Sequence, residues 1–133
     1  MILIGHKSGI IENIDIKDIK ETVKGTKTYT IIGGEFAVSK DSFNINFKTL
    51  LGSCVAMMFY DRKNGIKAMN HFLLPSSSIG GIDMKYGLYS VEAMLNEMYK
   101  MGSSKSDIDV KIAGGSNILQ NSSNRIGDKN IAF

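Results

Sequence analysis

Residues 48–75 read KTLLGSCVAMMFYDRKNGIKAMNHFLLP, and the fold turns on how this stretch is parsed. Residues 55–60 are an unbroken apolar run of strand length. Residues 61–65, Asp-Arg-Lys-Asn-Gly, form a turn, with Asn64-Gly65 as its strongest element because both residue types tolerate tight reversal. Residues 66–74 read as a second strand, stopped by Pro75 and the serines at 76–78. Two apolar strands around such a turn predict a hairpin. Just upstream, residues 48–51 read as a further strand that breaks at Gly52-Ser53.

Working outward, Gly80-Gly81 marks a loop, and beyond it Leu88, Val91, Met94, Leu95 and Met98 recur at helical spacing. Gly102 stands where a helix-ending glycine is expected. The methionines in this stripe read as core filler, not metal ligands. Residues 108–113 alternate as a strand ending at Gly114-Gly115, and residues 127–133 resemble the opening turn of another helix. Toward the N-terminus, residues 29–32 are strand-like and stop at Gly33-Gly34. Residues 35–38 suggest another strand, and a polar turn follows at 39–42. Residues 1–28 mix two periodicities, so a short strand and a loose helix are both open, and they read as a poorly defined extension. Strands on both sides of a helix with short connections predict an α/β (α+β) layered sandwich with flanking helices, as a single domain over 1–133.

Composition narrows the function classes. The 133 residues are 43% hydrophobic and 22% charged, as in ordinary globular proteins. The net charge of +3 is mild, and no basic run is interleaved with aromatics, so nucleic-acid binding is not indicated. The single cysteine cannot form an internal disulfide, which fits a reducing, cytoplasmic setting. The opening residues hold neither a leader pattern nor an apolar run approaching the ~18 residues a bilayer span needs. No membrane insertion is expected. The glycine doublets fit no phosphate-binding spacing, and no paired histidines or Cys-x-x-Cys could hold zinc, so no metal or cofactor is implied.

One constellation could carry chemistry. Taken singly, Cys54 between apolar residues reads as a small buried hydrophobe, and His71 as a strand histidine hydrogen-bonded in the core. Together they suggest more. Gly52 and Ser53 precede the thiol where a backbone bend could free N–H groups for an oxyanion. A strand-turn-strand could return His71 alongside Cys54, 17 positions on. Thr49 offers a hydroxyl to orient the ring. A thiol, an imidazole and an orienting group are the minimal set for thiol-based acyl transfer.

The segments TLLGSCVAMMFYD (49–61) and AMNHFLLP (68–75) resemble the core of the CheD family of chemoreceptor glutamine deamidases. The resemblance extends through KIAGGSNIL (111–119) and IGDKNIAF (126–133), and upstream to IGGEFAVSK (32–40). It implies a hydrolase that converts receptor glutamines to glutamate and ammonia, with methyl esters as a further substrate in some members. It implies Cys54 as nucleophile, His71 as its base and Thr49 as the hydroxyl-bearing third residue. The implied fold is a sandwich with papain-like site geometry, related to deamidating toxins. The implied partners are methyl-accepting chemotaxis receptors and the CheC phosphatase. Relatives usually continue past the helix begun at 127–133, so the C-terminus is expected to be truncated relative to the family. Asn70 stands where relatives often carry a small residue, which implies a modified pocket. A non-catalytic interaction module binding CheC or receptors is the alternative.

Overall fold

The computed structural model describes residues 2–6, 8–19, 21–23, 26–40, 45–73 and 87–115. The central hairpin forms as the 48–75 segment predicts. Strand β7 (Val55–Asp61) pairs antiparallel with β8 (Ile66–Asn70), with Met58 opposite Met69 and Asp61 opposite Ile66. The same offset continues to a bridge between Val55 and Phe72, beyond the end of β8.

Around this hairpin a six-stranded sheet assembles with β1 (Ile2–Gly5), β2 (Ile11–Ile14), β5 (Phe36–Ser39) and β9 (Ile108–Gly114), in the order β2-β1-β5-β8-β7-β9. Its pairings are all antiparallel. Residues 2–5, read from sequence as part of an extension, are an inner strand with Ile2 and Ile4 fully buried. The four-residue pattern was too short to separate from its charged neighbours. A three-stranded sheet of β3 (Glu21–Val23), β4 (Thr26–Thr30) and β6 (Ile45–Lys48) includes the parallel pair β4–β6. Helix α1 (Gly87–Lys100) and two single-turn 3-10 helices, Ile16–Asp18 and Lys105–Asp107, complete the described elements.

These elements stack in three layers, an α+β arrangement. Because side chains alternate along a strand, the large sheet buries two different faces. On one, Phe36, Val38, Phe59 and Ala68 pack against Met94 and Met98 of α1. On the other, Ile2, Ile4, Ala37, Ala56 and Met69 pack against Ile31, Ile45 and the half-buried Tyr29 and Phe47 of the small sheet. Where flanking helices were expected, one α-helix is present among the described residues. It ends as Gly102 predicts: that residue adopts φ +106°, Gly102 N–H donates to Tyr99 O at 3.0 Å and Ser103 N–H to Met98 O at 3.1 Å. That pair of bonds closes the last turn.

The expected strand at 48–51 is corrected to β6, ending at Lys48. Ile31 N–H donates to Lys48 O at 2.7 Å, and then the Thr49 hydroxyl takes the Ile31 carbonyl at 2.7 Å. A side chain has replaced the backbone there, so the ladder stops. The turn expected at 39–42 lies partly outside the described residues, as do the loop at 76–81 and the helix start at 127–133. No helix among the described residues is long and apolar enough to cross a membrane.

Asp61 joins three elements at the far end of the hairpin. It is fully buried, and its carboxylate accepts from Lys63 N–H (2.9 Å), Asn64 N–H (3.0 Å), Asn64 Nδ2 (2.9 Å) and Ser103 Oγ (2.7 Å). Burial alone would raise its pKa, but these donors outweigh it and bring the value down to about 2. A carboxyl lower in the folded than the unfolded state stabilises the fold above its unfolded value near 3.8, and this is lost as pH falls toward 2. The acid limb of a thermal-unfolding series should therefore steepen in that window, and Asp61→Asn should flatten it. An unchanged limb in Asp61→Asn would contradict this role.

Candidate active site

Strand alternation and the hairpin offset place His71 and Ala56 opposite one another on the face that carries the small sheet. Cys54 directly precedes β7, at the end of the 52–54 bend, beside the Val55–Phe72 bridge that His71 adjoins. Residues 52–54 bend out of the ladder, as expected, and Val55 N–H donates to Phe72 O at 3.1 Å.

The imidazole is held from several directions. Its backbone N–H donates to Glu35 O at 3.1 Å, and Gly34 N–H donates to His71 O at 2.8 Å. Its Nδ1 is 2.6 Å from Thr49 Oγ1. The Thr49 hydroxyl has one proton, and the Ile31 carbonyl at 2.7 Å can only accept. Thr49 therefore donates to Ile31 and accepts from an Nδ1–H of the ring. The neutral ring then carries its lone pair on Nε2, the nitrogen a base would use.

Gly33 lies against that nitrogen. A Cβ on Gly33 would sit 3.8 Å from His71 Nε2 and 3.4 Å from Leu73 Cδ2, so the missing side chain leaves Nε2 approachable. The turn carrying Gly33 is fixed by the buried Glu35, whose carboxylate accepts from Ile32 N–H at 3.2 Å and meets His6 Nδ1 at 3.1 Å. Tyr29 shares this cluster. Burial, with the Glu35 and Glu12 charges and a Glu35 hydrogen bond, pushes its phenol up to about 12.

The thiol is half-buried and bonds to the Ser53 side chain. Burial pushes Cys54 above its ordinary range, and the Ser53 bond offsets this only in part. Burial likewise pushes His71 below its ordinary 6.5. Both directions favour a neutral thiol and a neutral imidazole at rest.

The left-handed glycines flanking this bend are Gly114 (φ +111°) and Gly115 (φ +80°), at the end of β9. Gly115 N–H donates to Cys54 O at 2.9 Å, and a Cβ on Gly114 would meet that same oxygen at 2.1 Å. The doublet thus clamps the Cys54 backbone from the neighbouring strand. Sequence reasoning saw it only as a strand end, since nothing local says which strand a glycine faces. Asn70, expected to alter the pocket, points to the other face: Oδ1 accepts from Met57 N–H at 2.8 Å and Nδ2 donates to Ser90 Oγ at 2.9 Å. It ties the hairpin to α1, one residue out of phase with His71.

Gly114→Ala forces a non-glycine residue to positive φ and drives its methyl into a backbone carbonyl, and strain of the first kind alone costs about 1–3 kcal/mol. Urea unfolding should show at least that loss. An unchanged midpoint would mean the clamp is not packed this tightly.

A family model described as CheD chemotactic sensory transduction matches residues 73–133. A probable chemoreceptor glutamine deamidase CheD 1 of Ruegeria sp. (strain TM1040) is 38% identical over 111 residues, 83% of this chain and 58% of the relative. The family to which the chain is similar is CheD. Other CheD relatives agree. The probable chemoreceptor glutamine deamidase CheD of Cupriavidus pinatubonensis (strain JMP 134 / LMG 1197) is 41% identical over 92 residues, 64% of this chain and 42% of the relative. That of Hahella chejuensis (strain KCTC 2396) is 38% identical over 109 residues, 77% of this chain and 50% of the relative. The chain spans about half the length of the curated relatives it matches.

Proposed function

We propose that this chain hydrolyses glutamine side-chain amides of methyl-accepting chemotaxis receptors, with Cys54 as nucleophile, His71 as base and Thr49 as the residue that orients the ring. The observation carrying this reading is the Thr49–His71 bond, which anchors Nδ1 and turns a lone pair on Nε2 toward a face kept open by Gly33. Because burial holds the pair neutral, His71 acts as a general base at the moment of attack, and no thiolate is stored beforehand.

The steps follow. The Cys54 proton moves to Nε2 as sulfur bonds to the amide carbon. Backbone N–H groups in the 52–54 bend receive the oxyanion, a contribution worth about 3–4 kcal/mol where one such donor has been removed in another enzyme. Among the described residues no backbone acceptor meets the Cys54 N–H. The imidazolium gives its proton to the nitrogen as the C–N bond breaks and ammonia leaves. Water, deprotonated by Nε2, then hydrolyses the thioester to glutamate. The same acyl chemistry extends to methyl esters of receptor glutamates. The roles of thiol, imidazole and orienting group parallel those of Cys–His hydrolases, and receptor cytoplasmic helices as substrate put the protein in the cytoplasm.

A second reading, a non-catalytic module binding CheC or receptors, is favoured by the thiol, whose burial pushes its pKa up and whose hydrogen-bond partner is Ser53. Ammonia release from a glutamine-bearing receptor helix peptide, with glutamate located by mass spectrometry, separates the two. The deamidase reading expects turnover whose acid limb lies below pH 6.5, since the base is His71 with a lowered pKa and stays neutral to lower pH. Thr49→Val should lose roughly five- to 150-fold in kcat/KM, the worth of about 1–3 kcal/mol for one hydrogen bond to a buried group. No turnover with intact peptide binding would leave the binding module standing.

A further inference from the structure

The face that carries His71 is only partly covered by the small sheet. Beside the edge of β6 lies an open cleft of about 460 Å³, lined by Asn46, Phe47, Met58, Tyr60, Lys67 and Lys111 among others. Its floor lies along the same face of the hairpin as His71. The Met58–Met69 pair is the next same-face pair along the hairpin after Ala56 and His71, and Tyr60–Lys67 is the one after that. Lys111 stands opposite Met58 on the edge strand β9. The floor is apolar, through Phe47, Met58 and Met69, and its charged rim is dominated by lysine. Lys67 reaches across the cleft to the Ile45 carbonyl, with its ammonium 5.6 Å from the centre of the Phe47 ring. Asp109 also lines the cleft, but it is paired with Arg62.

We propose that this cleft is a substrate subsite, which takes an apolar side chain on its floor and a carboxylate at Lys111, both from the helix that presents the target glutamine. The inference rests on the deamidase reading and adds a specificity rule to it. Four strand residues separate the level of Cys54 from that of Met58 and Lys111, about 13 Å at 3.3 Å per residue. On a helix, residues seven apart share a face and rise about 10.5 Å, and the flexible lysine stem covers the difference. A glutamate seven residues from the glutamine therefore meets Lys111, and the residue eight from the glutamine, beside it on the helix, meets the apolar floor at the same level. The wall of the cleft carries Lys67 and Lys111 while Asp109 is paired with Arg62, and such a positive wall selects and steers an acidic partner.

The test uses the full chain and alanine-based helical peptides with one glutamine, a glutamate seven residues to one side or the other, and a leucine beside it, eight residues from the glutamine. A twin carries alanine in place of the glutamate. Binding is read by fluorescence anisotropy and turnover by ammonia release. One of the two glutamate peptides should bind at least tenfold tighter than its twin, with the gain in KM and not in kcat. Lys111→Glu should abolish that gain and leave the twin unaffected. A peptide with lysine in place of glutamate should recover binding to Lys111→Glu. If ammonia is released equally from every peptide and Lys111→Glu makes no difference, the subsite is wrong while the deamidase reading survives. If the Lys111-dependent gain is found without ammonia release, the subsite stands and the deamidase reading falls. If no peptide binds and none is turned over, both fall.

Discussion

Cys54→Ala should reduce ammonia release from a receptor helix peptide by roughly four to six orders of magnitude, the scale on which loss of a nucleophile acts in hydrolases. The fold should survive this change. The thiol is only half-buried, and the Cys54 backbone is held independently of its side chain, by the Gly115 N–H on its carbonyl and the Val55–Phe72 bridge beside it. Removing one sulfur atom from such a site costs less than truncating a fully buried core residue. Thermal unfolding close to wild type, measured beside the lost turnover, separates chemistry from collapse. Near-normal turnover in Cys54→Ala would end the nucleophile assignment.

His71→Ala should be nearly as damaging, for a distinct reason. Burial leaves the thiol neutral, so its proton needs an acceptor at the moment of attack, and Nε2 supplies one. Nucleophile and base therefore act as a unit, and the Cys54→Ala, His71→Ala double variant should be no slower than either single variant. Additive losses would mean that the two residues work independently. This substitution also leaves the Thr49 hydroxyl and the buried space around a 93%-buried residue unfilled, so some stability should be lost too. Raising pH helps to distinguish the effects: hydroxide can partly replace a missing base above the raised thiol pKa, whereas a misfolded site gains nothing from it.

The hairpin and helix were legible because each carries its own local signal. Residues 55–60 form a continuous apolar run of strand length, Asn64-Gly65 marks the reversal, and the stripe from Val91 to Met98 has one period. The N-terminal strand β1 was not legible, since four residues offer no period and its burial comes from β2 and β5 on either side. The end of β6 was missed because a threonine hydroxyl, and not a turn residue, terminates the ladder. Within the candidate site, Cys54, His71 and Thr49 could be singled out by residue type. Their supports could not. Gly33 keeps Nε2 approachable, Glu35 fixes the turn beneath the ring, and Gly114-Gly115 clamps Cys54 from a strand some 60 positions away (54 against 114). Those relations exist only once the sheet order is known. Asn70 shows the same limit in reverse: it neighbours His71 in sequence, yet strand alternation sends it to the opposite face.

The most direct measurement is the mass of the Cys54-containing fragment after the protein is mixed with a glutamine-bearing helix peptide and quenched in acid during turnover. A thioester adduct on Cys54, weighing the peptide less ammonia and absent from Cys54→Ser, is the result expected here. Steady glutamate production with Cys54 unmodified at every quench time, and undiminished in Cys54→Ala, would contradict it.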